Sequence, residues 1–146
     1  MRLFDKLLYN CTIFDNKYAK HGVQRTLAKH QLLELFAYNV RTQKDGLLFA
    51  PAEFDGNRCK KNVERVHMLV FDIDEGAPYL PLYNKDFAFD WITYTTFSHT
   101  TAKPKWRLVI PLKRPIPSGE WIYAYQAMCD LWRKLHPDYP NALDAS

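Results

Sequence analysis

The sequence has few of the features that mark membrane, secreted or disulfide-bonded proteins. It contains no apolar run near the roughly 20 residues of a membrane-spanning helix. Its first residues, MRLFDKLLYN, are interrupted by Asp5 and Lys6, which is untypical of a signal peptide. Cys11, Cys59 and Cys129 are odd in number and far apart, which argues against a disulfide framework and a cysteine-rich zinc site. We therefore expect a cytoplasmic protein without a membrane partner.

The composition is that of a folded domain. Apolar residues make up 47% of the 146 residues and charged residues 25%, which predicts a single domain spanning residues 1–146. The net charge of +4 is mild. Much of the positive charge lies in RCKKNVER (58–65) and KPKWRLVIPLKR (103–114). These segments are either solvated loops or a basic rim around a site for a polyphosphate or nucleic acid.

The hydrophobic pattern predicts the order β-α-β-β-β-β-α-β. Strands are expected at Lys6–Phe14, Gly46–Phe54, Val63–Asp74, Asp90–Thr100, Lys105–Leu112 and within NALDAS (141–146). Helices are expected at Thr26–Val40, with Thr26 as its N-cap, and at Glu120–Leu135, with Ser118 as its N-cap. Loops are expected at DNKYAKHGVQR (15–25) and EGAPYLPLYNKD (75–86). Consecutive strands without intervening helices favour an α+β fold with an antiparallel or mixed sheet. Helices would cover one face and leave the other open for a site.

The segment MLVFDIDEG (68–76) ends a predicted buried strand with two acids. Because side chains alternate along a strand, Asp72 and Asp74 should point to the same side of the sheet. Two carboxylates so close together repel each other, and burial increases the repulsion. The pair therefore needs water, cations or a shared proton beside it.

A predicted hairpin follows, in which TTFSHT and KWRLV are joined by the turn TAKP. If the turn is centred near Lys103, His99 lies opposite Arg107, and opposed residues share a face. Such a pair is suited to holding phosphate oxygens. A structural role for the histidine is the alternative interpretation.

A third acid, Asp144, follows a short apolar segment near the end of the chain. Its setting resembles that of the first pair, a brief strand that ends in a carboxylate. Three aspartates with a nearby histidine and arginine can hold two divalent cations and a nucleoside triphosphate, the arrangement used for in-line nucleotidyl transfer. Cations would also remove the repulsion between Asp72 and Asp74.

Together, FDID, YTTFSHT, KPKWRLVIPLKRPI and NALDAS resemble the archaeo-eukaryotic primase superfamily, and most closely the small primase-polymerase domains of plasmid, phage and integrated-element replication proteins. The resemblance covers roughly residue 46 to the C-terminus. The family's acidic motifs are matched by Asp72, Asp74 and Asp144. Its histidine motif is matched by His99 in a variant, Ser98–His99, with Phe97 where the family often has a small residue.

The resemblance implies an RRM-like catalytic sheet, Mg²⁺ or Mn²⁺, nucleoside triphosphates and a single-stranded DNA template. It implies a DNA primase/polymerase in which the three aspartates are the catalytic metal ligands and Ser98, His99 and Arg107 bind the nucleotide. We expect the nucleic-acid contacts to come from the basic residues Arg58, Lys60, Lys61, Lys103 and Lys105. Because Asp144 lies close to the C-terminus, we expect the chain to be a fragment of a longer replication protein that works with a helicase or further domains.

Three alternatives compete with the primase interpretation. A non-catalytic RRM-like module would bind single-stranded nucleic acid through basic residues and aromatic residues such as Trp91, Tyr94 and Trp106, but packing in the core better accounts for each of these rings, and binding alone does not need three aspartates. A haloacid-dehalogenase-type phosphatase has a similar nucleophile strand, but Glu75 interrupts its motif and the strand comes late in the chain. A rolling-circle nickase would need two histidines one residue apart, and the sequence has no such pair.

Overall fold

The structure is a computed structural model that describes residues 8–38, 45–74 and 87–145. These residues form an α+β fold with two antiparallel sheets and two α-helices, which confirms the predicted class. The chain divides into two compact units. One contains the residues up to Leu69 together with Pro111–Gly119, and the other contains Val70–Ile110 and the residues from Glu120 onward. The prediction of a single domain stays a prediction.

The first sheet has three strands in the order β2-β1-β3: β1 (Leu8–Phe14), β2 (Val23–Ala28) and β3 (Leu48–Ala50). Helix α1 (Lys29–Tyr38) follows β2 directly and buries Leu32 completely. Gly22 precedes β2 at a point of close approach, where an added Cβ would lie 2.6 Å from Cγ2 of Thr12. A side chain at this position would therefore force β1 and the start of β2 apart.

The second sheet has the order β4-β5-β7-β6, with β8 also paired to β5. Its strands are β4 (Ala52–Phe54), β5 (Val63–Ile73), β6 (Ile92–Thr95), β7 (Trp106–Pro117) and β8 (Asp144–Ala145). Helix α2 (Trp121–Leu135) follows β7 after a 3₁₀ turn at Ser118–Glu120. None of the helices in the described residues is long and apolar enough to cross a membrane.

Helix α2 contributes an apolar stripe to the core, as the sequence predicts. Met128, Cys129 and Trp132 are buried. Near its start, Tyr125 stacks between Trp121 and Phe71 of β5, at centroid distances of 5.3 and 5.5 Å. The helix therefore packs on the face of β5 that carries Phe71.

A polar network links β1, β4 and β5. The carboxylate of Glu53 accepts a hydrogen bond from Asn10 at 3.1 Å and lies 2.9 Å from Nε2 of His67, a buried side chain. Thr26 in turn donates to the side chain of Asn10 at 2.7 Å. The hydrogen bond with His67 is the main cause that lowers the pKa of Glu53.

Several predicted boundaries were wrong. Residues 23–25 belong to β2 rather than to a loop, and α1 begins at Lys29, so Thr26 is a strand residue and not a cap. Pro51 separates β3 from β4, whereas a short strand that ends in a loop was expected over this segment. The second helix begins after Glu120 and has no side-chain cap from Ser118. The predicted loop at 75–86 lies outside the described residues.

The two strands of the predicted hairpin, β6 and β7, also differ in length from expectation. β6 is shorter than predicted, and β7 continues to Pro117 through three prolines. β7 lies between β5 and β6 in the sheet, and its register with β6 ends at Val109, before the first of the prolines.

Candidate functional site

The acidic pair lies where burial of the long strand β5 ends. Every residue from Val66 to Phe71 is buried, which shows that both faces of the strand are covered there. Beyond this stretch, Ile73 remains fully buried, whereas Asp72 is half-buried and Asp74 is exposed. The alternation therefore places both aspartates on the side opposite Phe71 and Ile73, as the sequence predicts.

The cation beside Asp72 is a guanidinium. Nε of Arg107 donates a hydrogen bond to Oδ1 of Asp72 at 2.6 Å, and both side chains are about three-quarters buried, with exposures of 28% and 25%. A second guanidinium nitrogen donates to the hydroxyl of Tyr94 at 3.3 Å. Burial lowers the pKa of Arg107, but attraction to Tyr94 and Asp72 outweighs it and raises the pKa above its usual value. Arg107 is therefore a fixed cation at this site.

The backbone of Asp144 lies on the strand next to that of Asp72. β8 pairs antiparallel with β5, and the register places Asp144 opposite Asp72 and Ala145 opposite Phe71. Directly opposed positions are the closest neighbours that two strands offer. The fold thus brings position 144 to the end of β5 from the far end of the sequence.

His99 is not where the sequence placed it. The residue opposite Arg107 is Tyr94, and Thr95 lies opposite Trp106, so the predicted pairing of His99 with Arg107 is wrong. β6 ends at Thr95, and a longer loop joins it to β7. His99 lies in this loop, and its Nδ1 accepts a hydrogen bond from the backbone N–H of Lys105 at 3.1 Å.

This contact assigns the tautomer of His99. Because Nδ1 accepts a hydrogen bond, the ring proton of the neutral imidazole lies on Nε2. Among the described residues, Nε2 has no hydrogen-bond partner, and the side chain is half-buried. His99 therefore offers one N–H donor, held in place from the other side of the ring.

The candidate nucleic-acid residues differ in how they are held. The guanidinium of Arg58 donates to the carbonyl of Lys17 and lies over the ring of Phe14, 5.1 Å from its centroid. Lys60 and Lys61 are exposed in a 3₁₀ turn that precedes β5. Lys103 is exposed and Lys105 half-buried in the loop that carries His99. Arg58 already has a structural role, whereas the side chains of the four lysines show no hydrogen bond or ion pair within the described ranges.

Two aromatic residues at positions 97 and 106 differ in exposure, and packing of Trp106 is the interpretation that the sequence favours. Trp106 is completely buried and offers no stacking surface. Phe97, two residues before His99, is 52% exposed. The signal that identifies it is an aromatic residue within an otherwise polar loop, TTFSHTTAKPK.

The donor set at the end of β5 fits a hard divalent cation. Asp72 and Asp74 supply carboxylate oxygens, the ligands that Mg²⁺ and Mn²⁺ prefer. The hydrogen bond from Arg107 uses Oδ1 of Asp72, and Oδ2 has no partner in the described part of the chain. Within that part, no cluster of three or more metal-ligating side chains is found.

Comparison with known proteins identifies one family. Residues 24–130 match the family model of the VapE N-terminal domain, a range that includes Asp72, Asp74, His99 and Arg107. Searches of the curated proteins and of the solved structures find no significant match. The matched range covers most of the chain, and the family occurs in phage and plasmid replication-associated proteins. The chain therefore belongs to the VapE N-terminal domain family, which indicates a role in the replication of mobile elements.

Proposed function

We propose that this domain is a primase-polymerase that joins nucleotides on a single-stranded DNA template during replication of a mobile element. The observation that carries the proposal is the contact between Asp72 and Arg107 at the end of β5, with Asp74 exposed beside it and Asp144 opposite in register. The carboxylate of Asp72, a ligand for divalent cations, thus lies next to the guanidinium of Arg107, a donor to phosphate oxygens. Nucleotidyl transfer needs both.

Each of these residues has a distinct role in the proposal. Asp72, Asp74 and Asp144 would hold Mg²⁺ or Mn²⁺, which when bound supplies charge neutralisation and activation of the attacking hydroxyl. Arg107 holds Asp72 in place and offers its remaining N–H groups to the triphosphate. His99 donates from Nε2 to a phosphate oxygen, while the Lys105 N–H fixes the ring.

The proposed partners follow from the charges around the site. Lys103 and Lys105 share the loop of His99, and we assign them, with Ser98, to the nucleotide and its template. Arg58, Lys60 and Lys61 belong to the other unit and are proposed as a separate set of DNA contacts. A helicase or further domains of a longer protein would supply single-stranded DNA.

The test is primer synthesis on single-stranded DNA with nucleoside triphosphates and Mn²⁺. Asp74→Asn should abolish product, because it removes a ligand charge, and should leave the fold intact, because Asp74 is exposed and its removal relieves repulsion with Asp72. Asp90→Asn is the matched control, since Asp90 is also exposed and lies in the same unit. Equal activity in the parent and Asp74→Asn would contradict the proposal.

A second candidate function, binding of single-stranded nucleic acid without catalysis, is favoured by one observation. The loop between β6 and β7 exposes both Phe97 and Lys103, a ring and a cation of the kind that single-strand binders combine. A parent protein that binds single-stranded DNA but makes no product with any nucleoside triphosphate, in Mg²⁺ or Mn²⁺, would favour this function.

A further inference from the structure

The loop between β6 and β7 is held by its own hydrogen bonds. The N–H of Thr96 donates to the carbonyl of Lys105 at 3.1 Å, and the N–H of His99 donates to the carbonyl of Thr96 at 3.0 Å. Thr100 and Lys103 close the tip, since the N–H of Lys103 donates to the Thr100 hydroxyl at 3.0 Å. The backbone that carries Phe97 is therefore fixed at both ends of the loop.

Phe97 exposes its ring from this ordered loop. The side chain is 52% exposed, and no ring or cation contact of Phe97 is found within the described residues. Phe89, an exposed aromatic of the same unit, instead packs edge-on against Phe87 at a centroid distance of 5.5 Å. Phe97 therefore combines an ordered backbone with a ring that no aromatic or cationic side chain of the described residues covers.

The neighbours of Phe97 are groups that contact nucleotides. His99 presents its Nε2 proton two residues away, the Ser98 hydroxyl lies between them, and Lys103 is exposed at the loop tip. Donors and a cation beside a flat ring match the two halves of a nucleotide, its phosphates and its base. The half-buried Trp91 and the buried Trp106 lack this exposure.

We propose that Phe97 is a stacking platform for a nucleobase. A ring on a fixed loop loses little entropy when a base covers it, and stacking tolerates any base because every base has a π-face. This proposal adds a base-binding residue to the proposed function. It rests on that function in one respect, which is that the site binds nucleotides. The base belongs either to the DNA strand or to the free triphosphate, and the assay below separates the two sources.

The test measures binding without a divalent cation, so that it does not depend on catalysis. Fluorescence anisotropy compares a labelled oligothymidylate with an abasic oligonucleotide of the same length and charge, and a parallel titration uses a free nucleoside triphosphate. Phe97→Ala should weaken binding of one base-bearing ligand by about 5- to 150-fold, the range for one stacked base. Binding of the abasic strand should stay unchanged.

Two further variants serve as controls. Phe97→Trp keeps a stacking surface and should restore the affinity of the base-bearing ligand. Tyr123→Ala removes an exposed ring of α2 that is 68% exposed, and it should bind every ligand as the parent does. A loss confined to the oligonucleotide assigns the base to the strand, and a loss confined to the triphosphate assigns it to the nucleotide.

The proposal is overturned if Phe97→Ala binds both base-bearing ligands as the parent does. It is also overturned if the abasic strand loses as much affinity as oligothymidylate, since the ring would then act on the backbone or on the fold. These outcomes are independent of the proposed catalysis. An active Asp74→Asn variant would remove the polymerase function and leave the base-dependent binding at Phe97 untouched.

Discussion

Under the proposed function, replacement of Arg107 by methionine should have opposite effects on the binding of Mn²⁺ and of the triphosphate. The variant keeps an apolar stem of similar length and removes the guanidinium that lies 2.6 Å from Asp72. A hydrogen bond to a charged group contributes about 1.5–3 kcal/mol. If Arg107 contacts the triphosphate, nucleotide affinity should fall by about 10- to 100-fold. Affinity for Mn²⁺ alone should rise, because Asp72 no longer shares its charge with a guanidinium.

The same variant has a measurable effect on stability. Both side chains of the Asp72–Arg107 pair are about three-quarters buried, so the pair should contribute more than the 0–1 kcal/mol of an exposed ion pair. We expect a coupling free energy of about 1–2 kcal/mol in a double-mutant cycle with Asp72→Asn, measured by urea unfolding. Mn²⁺ and nucleotide affinities are measured by calorimetry on the same proteins.

The matched control is Arg133→Met. Its guanidinium also donates to an aspartate, Asp130 at 3.0 Å, but this pair lies on the surface of α2, with side-chain exposures of 49% and 76%. It should change neither ligand affinity. The reasoning is refuted if Arg107→Met binds the triphosphate as tightly as the parent, or if Mn²⁺ affinity falls together with nucleotide affinity.

Three further predictions concern the rest of the chain. The pKa of Glu53 is lowered mainly by hydrogen bonding with His67, so the stability that this contact contributes is complete above the usual pKa of 4.5 and is lost as pH falls through the folded pKa. In urea unfolding, Glu53→Gln should lower the unfolding free energy by about 1.5–3 kcal/mol at neutral pH, and its unfolding free energy should fall less steeply in acid than that of the parent. Burial lowers the pKa of His136, whose buried Nε2 has no hydrogen-bond partner in the part of the chain that the structure describes. His136→Phe should raise the unfolding free energy by about 1–3 kcal/mol and remove the share of the stability loss that begins as pH falls below 6.5, as read by urea unfolding at several pH values. Burial raises the pKa of Cys11 to about 11, so iodoacetamide should label the half-buried Cys59 first and Cys11 only after unfolding, as read by mass spectrometry.

The sequence predicted best those elements whose signal is local. The strand Val63–Ile73 was found to within one residue, because its apolar run and terminal acids are contiguous. A brief strand is also present at Asp144, but it begins at this residue rather than ending there, and its pairing with β5 rather than the apolar residues before it defines its bounds. The hydrophobic pattern alone selects the conformation only in β5.

The errors occur where a contact distant in sequence decides the conformation. Thr26 is a sound helix cap by local rules, but its hydroxyl donates to Asn10, sixteen residues away, and the segment joins a sheet. The predicted register of β6 with β7 was wrong for a related reason. The side chains of His99 and Thr100 accept hydrogen bonds from backbone N–H groups of the loop. These bonds take the place of the backbone pairing between strands that a tight TAKP turn would have produced. Such side-chain contacts leave no periodic trace in the sequence.

The charges at the end of β5 explain how two aspartates can follow a buried strand. Burial on both faces stops before Asp72, so its carboxylate keeps partial access to water, and Arg107 compensates part of its charge. One guanidinium offsets one carboxylate. Asp74 remains exposed and has no guanidinium of its own among the described residues, and the register places the backbone of Asp144 opposite Asp72. Under the proposed function, a divalent cation beside Asp72 and Asp74 would balance the remaining negative charge, and a bound triphosphate would give Arg107 a second anionic partner.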